Sequence, residues 1–277
     1  MAILTYNGQP LDCGGFITGL TAINKSWNYD TAPFLTVKGR DVWTDGTNIY
    51  YSNGALSQYK INVATSSWSW KTWTGYDNFG GEYIWHQGSN TYSSQNSSSQ
   101  YRLNTSTGAW EAKTWNNHQP TGIDIWTDGT NVYDSSFGSN YTLDVSTSTW
   151  TARTWYGTSS FSGRNVWTDG TNFYLSEGSI QKKLQSAYSW QNWGWFGLTN
   201  FNGQDVWTGP DGNFYYSDNA SHYVLDIATK TWSSVTAFGV NFYGRDVWSG
   251  GGHVYVSNTY EIVPLSQGGN NFISYES

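Results

Sequence analysis

Hydrophobic positions in this chain fall in short runs that are separated by turn residues. Residues 49–51, 132–133 and 173–175 are rich in aromatic and β-branched side chains, which favour strands over helices. Asp-Gly-Thr-Asn precedes each of these runs, and Gly and Asn tolerate the positive φ angles of tight turns. Because no stretch of ten residues has helical periodicity, the pattern predicts an all-β chain.

A recurring tryptophan at the start of each strand group predicts the architecture. The series is Trp43, Trp85, Trp126, Trp167, Trp207 and Trp248, at intervals of 42, 41, 41, 40 and 41 residues. A second series marks a fourth strand at Trp68, Trp110, Trp150, Trp190 and Trp232. Third strands are predicted near Tyr59, Tyr101, Tyr141, Tyr223 and Tyr260. Four strands in each unit are typical of propellers. The sequence predicts one domain over residues 1–277, a six-bladed β-propeller of four-stranded antiparallel blades with repeats over about 39–265.

The two ends of the chain are predicted to share the last blade. Trp27 lies 41 residues before Trp68, whereas the sixth unit has no second tryptophan. Residues 15–29 are therefore predicted to close the ring as the outermost strand of that blade, paired with the strand that contains Tyr260, which would remove an open sheet edge. Residues 270–277 are the alternative for this place.

The turn before the second tryptophan carries a family resemblance. Asp144, Thr147 and Trp150 follow an Asp-x-x-Thr-x-x-Trp pattern that recurs at residues 226–232. This turn resembles the kelch repeat, although the Gly-Gly doublet of that family is missing here. Kelch propellers serve as binding platforms, sugar oxidases and scaffolds, so the resemblance implies the fold more strongly than an activity.

Composition and charge narrow the choice of partners. The formal net charge is -7, and aromatic residues make up 18% of the chain against 12% for charged residues. Such a surface repels nucleic acids and anionic membranes, so neither is a predicted partner. Cys13 has no second cysteine to pair with. The first residues lack a basic segment followed by an apolar one, which predicts synthesis in the cytoplasm without a secretory signal.

Divergent connections between the repeats supply the candidate ligand residues. They combine aromatic side chains with Asn, Ser and Asp, and a ring can cover the apolar face of a sugar while polar groups bind its hydroxyls. The candidates are Tyr76, Phe79, His118, Tyr156, Trp195, Phe196, Phe238 and Phe242. Trp73, Trp115, Trp155 and Trp193 are predicted to be core residues. The nearly constant turns, Asp-Gly-Thr-Asn between the first and second strands and the turn between the third and fourth strands, are predicted to lie together on the opposite face, with a structural role.

A repeated pair of charges is predicted to line the central channel. The candidates are Arg40, Asp41, Arg164, Arg245 and Asp246. Arginines at a repeated position invite comparison with sialidases, which bind a carboxylate in this way. No sialidase Asp-box is present, and a ring of neutralising ion pairs is the simpler interpretation.

Catalytic and metal motifs are missing from the sequence. The four histidines lie in separate repeats without zinc spacing, and no Gly-x-Ser-x-Gly element is present. The paired histidines and the cross-linked Cys and Tyr of kelch-like copper oxidases have no counterparts. We therefore expect no cofactor and no enzymatic activity, although calcium in an Asp/Asn loop stays open.

The combined pattern predicts a binding propeller that recognises a host-surface glycan or receptor. The Trp-Thr-Asp-Gly-Thr-Asn repeats resemble those of predicted phage tail-associated propellers, and virion proteins reach the outside by lysis. A structural virion protein that binds only other proteins is the alternative, and a glycan-cleaving enzyme is a weaker one.

Overall fold

The structure is a computed structural model, and its described parts cover most of the repeats. They are residues 37–54, 58–62, 65, 67–186, 188–209, 211–235, 241–248 and 254–257, with the backbone alone of 4–6, 9–11, 27–32, 249–250, 253 and 270–275. The short Trp-rich units form antiparallel meanders in which each strand pairs with the next. The predicted fold class, an all-β propeller of four-stranded antiparallel blades, is confirmed.

Five blades are each made of four consecutive strands, not six as predicted. Blade 1 comprises β4 (Val42–Thr44), β5 (Ile49–Ser52), β6 (Gln58–Asn62) and β7 (Ser67–Trp70). Blade 2 comprises β8 (Ile84–Gln87), β9 (Asn90–Asn96), β10 (Ser99–Asn104) and β11 (Ala109–Ala112). Blade 3 comprises β12 (Ile125–Thr127), β13 (Val132–Ser136), β14 (Ser139–Asp144) and β15 (Thr149–Ala152). Blade 4 comprises β16 (Val166–Thr168), β17 (Phe173–Glu177), β18 (Ile180–Ser186) and β19 (Ser189–Asn192). Blade 5 comprises β20 (Val206–Thr208), β21 (Phe214–Asp218), β22 (Ser221–Asp226) and β23 (Thr231–Ser234).

The sixth tryptophan repeat begins a composite sheet. Its strands, in order, are β24 (Val247–Gly250), β25 (His253–Val256), β26 (Asn270–Tyr275) and β3 (Trp27–Ala32). The partner predicted for the N-terminal strand is therefore wrong, because residues 27–32 pair with residues 270–275. The alternative segment supplies the third strand, and the N-terminal segment supplies the outermost one. Residues 15–26 and Tyr260 lie outside the described residues.

The repeated tryptophan of the innermost strand is fixed by a buried hydrogen bond to the second strand. In blade 3, Trp126 Nε1 donates to Ser135 Oγ at 3.1 Å, and Trp126 has no exposed surface. The same bond forms at Trp43–Ser52, Trp85–Ser94, Trp167–Ser176, Trp207–Ser217 and Trp248–Ser257. Because an unpaired buried indole N–H is costly, the serine is as much a part of the repeat as the tryptophan.

A one-turn 3₁₀ segment precedes each innermost strand and allows close approach between neighbouring repeats. In these segments a Cβ on the first glycine would lie 1.8–2.2 Å from a backbone oxygen of the neighbouring segment. Gly203 meets the Asn165 oxygen in this way, and Gly39 of blade 1 meets the oxygen of Asp246, which precedes the composite sheet. Only glycine can occupy these positions, because any side chain would push two backbones apart.

An N-terminal hairpin lies against the innermost strands. It consists of β1 (Leu4–Tyr6) and β2 (Gln9–Leu11). The backbone of β1 contacts β20, and that of β2 contacts β8 and β12. Across the part of the chain that the structure describes, no helix has the length and apolar character needed to span a membrane.

Candidate functional site

Three of the predicted ligand residues are buried in the interfaces between blades. Phe79 and Phe242 have no exposed surface, and Trp195 is 3% exposed. Phe79 packs on Trp43 and Trp73, and its equivalents are Phe161, Phe201 and Phe242. The expectation that these three rings are available to a ligand is wrong, because each fills space between neighbouring blades. The repeated Phe-x-Gly spacing before the 3₁₀ segment is the sequence signal for this role.

Trp195 occupies the core position that sequence analysis gave to Trp193. The following residue, Phe196, forms a parallel bridge with Thr231, as Tyr156 does with Ser189 and Asn116 does with Thr149. This register aligns Trp195 with the other residues that directly precede such a bridge, Trp73, Trp115 and Trp155. The error came from aligning the copies on the tryptophan nearest to the strand end.

Tyr76 and His118 stack on the third strand of the next blade. The Tyr76 ring lies 4.0 Å from that of Tyr101, and the His118 ring lies 3.8 Å from that of Tyr141, both nearly parallel. His118 Nε2 is also 2.7 Å from Oδ2 of the buried Asp134. Burial raises the pKa of the Asp134 carboxyl, and the histidine beside it opposes that shift. Both rings therefore join blades together.

Tyr156 and Phe196 are the exposed members of the predicted set, at 70% and 66% exposure. Their backbones nevertheless tie adjacent blades together. Phe196 N donates to the Lys230 oxygen at 2.9 Å, and its own oxygen accepts from Trp232 N at 2.8 Å. Lys230 lies in the near-constant turn between the third and fourth strands, so Phe196 does not lie on a face opposite to these turns. That part of the face assignment is wrong. Phe238 lies outside the described residues.

Aspartates of the 3₁₀ segments are buried, among them the channel-lining candidates Asp41 and Asp246. We call Asp41, Asp205 and Asp246 the channel aspartates. Each is at most 7% exposed. Burial raises the pKa of Asp41 to about 7, with a contribution from the negative charge of Glu82. Burial likewise raises the pKa of Asp205 to about 7 and that of Asp246 to about 6, against the opposing effect of Arg245.

The channel arginines contact the neighbouring repeat. Arg245 Nε is 3.9 Å from Asp205 Oδ1, and Arg40 Nε is 3.9 Å from Glu82 Oε2. Arg164 Nε donates to Ser162 Oγ at 3.1 Å. Arg40 and Arg245 therefore pair with acids of neighbouring repeats, while Arg164 is held by a hydroxyl. No group of three His, Cys, Asp or Glu side chains among the described residues could hold a metal ion.

A cavity of about 380 Å³ opens on blade 4. It lies between the start of β18 and the end of β19, and it continues into the connection to blade 5. Its lining residues are Ser179, Ile180, Gln181, Lys182, Asn192, Trp193, Gly194, Trp195 and Thr199. The walls thus combine apolar surface with amide, hydroxyl and ammonium groups and contain no carboxylate, a mixture that suits a polar ligand.

Two lining residues depart from the pattern of the other blades. Strand pairing aligns Lys182 with positions that carry tyrosine elsewhere, namely Tyr59, Tyr101, Tyr141 and Tyr223. Trp193 aligns with positions that carry Lys or Arg in the first three blades, namely Lys71, Lys113 and Arg153. Blade 4 has therefore exchanged an aromatic residue for a cation and a cation for an aromatic residue.

Sequence reasoning missed Lys182 and Trp193, but a signal for Lys182 is present in the repeats. The series of third-strand tyrosines has no member in the fourth repeat, and Lys182 stands in that gap. The break in the series therefore marks the position by sequence. Trp193 was assigned to the core instead, whereas the structure places it half-buried in the cavity wall.

Comparison with known proteins identifies no family for this chain. No protein-family model matches the chain, and no curated protein matches it. Among solved structures it is similar to the extracellular domain of a hybrid two-component system protein from B. thetaiotaomicron, at 12% identity and a TM-score of 0.49. That similarity covers 84% of this chain, and the chain spans 33% of the length of that structure.

Proposed function

We propose that this protein is a non-enzymatic binding propeller that recognises a surface glycan through blade 4. The observation that carries the proposal is the blade 4 cavity, where two repeated residues have been exchanged. The contact that fixes the innermost strand recurs in every copy, as the Trp126–Ser135 bond and its five counterparts show. Lys182 and Trp193 break that pattern at the two positions that line one cavity.

An exposed aromatic ring directly after a lining residue of the cavity provides the stacking surface. Phe196 follows the lining residue Trp195 directly, and Tyr156 holds the equivalent position one blade earlier. An exposed aromatic side chain on an already ordered backbone loses little entropy on binding, because only two side-chain torsion angles remain to be fixed. The ammonium groups of Lys230 and Lys183 already lie 3.9 and 4.7 Å from the Trp193 ring, so stacking on the ligand is assigned to Phe196.

The wider setting of the proposal rests on sequence. A kelch-like repeat and a place on a phage or prophage particle are supported by the resemblance of the repeats, and the absence of nucleic-acid or membrane partners by the net charge of -7. The proposal also takes the composite sheet as a sixth blade that closes the ring. Its support is the close approach of Gly39 to the backbone of Asp246.

The test is glycan-array and host-surface binding by the purified chain. Phe196→Ala should weaken binding by about 1 kcal/mol or more, the usual threshold for an important interface aromatic. The matched control is Trp70→Ala, which removes a ring of 58% exposure from the outer strand of blade 1. Equal effects of the two variants would contradict the site. Failure of the parent to bind any glycan or surface preparation would favour the scaffold alternative.

A further inference from the structure

We infer that the ligand of the blade 4 cavity carries an anionic group, which makes it an acidic saccharide such as a uronate-containing or sialylated glycan. This inference rests on the proposed function and narrows its ligand class. It starts from an uneven distribution of charge. The chain has only 13 Lys and Arg residues and a net charge of -7. Three of those cations, Lys182, Lys183 and Lys230, surround Trp193 or line the cavity beside it.

These three ammonium groups have no carboxylate partner in the described part of the chain. The ion pairs formed there join Arg40, Arg102, His118 and Arg245 to acids and involve none of the three lysines. Lys182 Nζ donates instead to Asn192 Oδ1 at 2.5 Å, and both residues line the cavity. The Lys182 ammonium therefore has N–H groups left to donate.

Two acids on the same hairpin or turn as these lysines are engaged elsewhere. Glu177, which pairs with Ile180 across the hairpin, lies 3.4 Å from the backbone N–H of Ser162. Asp226 on the turn that carries Lys230 accepts from the backbone N–H groups of Ala228 and Thr229. Neither carboxylate lines the cavity. An incoming anion would thus meet positive charge that no neighbouring residue cancels.

The position of Lys182 is occupied in other blades by a tyrosine that serves packing. In blades 2 and 3 the tyrosine at this position is covered by a ring from the preceding connection, so it serves packing. Thr158 occupies the corresponding place before blade 4, three residues after Trp155 as His118 is three after Trp115. A lysine cannot make this stacked pair, so the replacement of tyrosine by Lys182 gives up packing between two blades. Binding of an anionic ligand is a use of the charge that accounts for this loss. Charge-assisted hydrogen bonds to a carboxylate are about twice as strong as neutral ones.

The test uses matched pairs of oligosaccharides that differ only in charge. Oligogalacturonate and sialyllactose are compared with their methyl esters on the parent, and the parent should bind each acid about tenfold more tightly, with an advantage that shrinks as salt is added. Lys182→Gln should lower the affinity for each acidic oligosaccharide to the affinity for its methyl ester. Lys182→Tyr, which restores the residue of the other blades, should keep the fold and do the same.

Lys60→Gln is the control, because it removes one positive charge from the third strand of blade 1. Far-ultraviolet circular dichroism and thermal melting verify folding of all variants. Equal binding of acids and esters by the parent, or equal effects of Lys182→Gln and Lys60→Gln, would overturn the inference while leaving a glycan-binding function in place. Binding of no glycan at all would overturn both.

Discussion

Trp195 and Phe196 are consecutive residues that should respond to substitution in opposite ways. Trp195 is 3% exposed and packs against Trp167, Tyr174 and Trp232, whereas Phe196 is 66% exposed. Removing a fully buried tryptophan costs the transfer free energy of its ring and the free energy of the cavity left behind. Trp195→Ala should therefore lower the free energy of unfolding by about 3–5 kcal/mol. Phe196→Ala gives up only the buried third of its ring, which is about 1 kcal/mol or less.

Urea unfolding followed by circular dichroism measures both variants against the parent. Trp155→Ala, the equivalent change in the preceding connection, should match Trp195→Ala because Trp155 is 2% exposed. Phe196→Ala should instead reduce glycan binding while the unfolding midpoint stays close to that of the parent. Loss of stability from Phe196→Ala that equals the loss from Trp195→Ala would refute the register that places Trp195 in the core.

Three further changes test the repeated contacts and the channel. Gly203→Ala should destabilise the fold by more than about 2 kcal/mol or prevent folding, because the new Cβ would lie 2.0 Å from the Asn165 oxygen; expression and thermal melting report the result. Ser135→Ala leaves the Trp126 N–H buried and unpaired and should cost about 1–3 kcal/mol in urea unfolding. Since the folded pKa values of the channel aspartates are about 6 to 7, above the unfolded value near 3.8, the folded state binds more protons, so the free energy of unfolding should fall as pH rises from about 4 to about 7. Asp205→Asn should flatten that dependence, and an unchanged pH profile would contradict the assignment.

Most of the fold could be predicted because it depends on short-range patterns that repeat. The spacing of the innermost-strand tryptophans and of Trp68 and its equivalents placed the first and fourth strands correctly in blades 1 to 5. Turn chemistry was equally local. Asp128 accepts hydrogen bonds from Thr130 N, Asn131 N and Tyr133 Oη, as expected of a structural turn.

The errors concern contacts between blades, which one strand period cannot reveal. Whether a connection's ring faces solvent depends on which residue forms the bridge to the next blade. A shift of two residues exchanged the roles of Trp193 and Trp195. The pairing of residues 27–32 with 270–275 joins segments more than two hundred residues apart. That Trp193 stands where other blades carry Lys or Arg becomes visible only when the copies are aligned by their strand pairing.

The turn residues at successive junctions have a consequence for folding. At three successive junctions, from blade 2 to blade 5, the residue that follows the outer strand of one blade lies beside a turn residue of positive φ in the next blade, and the three pairs differ. Lys113 donates to Ser148, Arg153 lies over Tyr188, and Lys230 lies over Trp193. Near-identical repeats risk misassembly, in which a blade docks on the wrong neighbour. Because these three junctions have different pairs, blades 2 to 5 joined out of order would set a cation against a cation or leave an aromatic ring without a partner. The pairs therefore give the blades an order that the shared tryptophans alone do not specify.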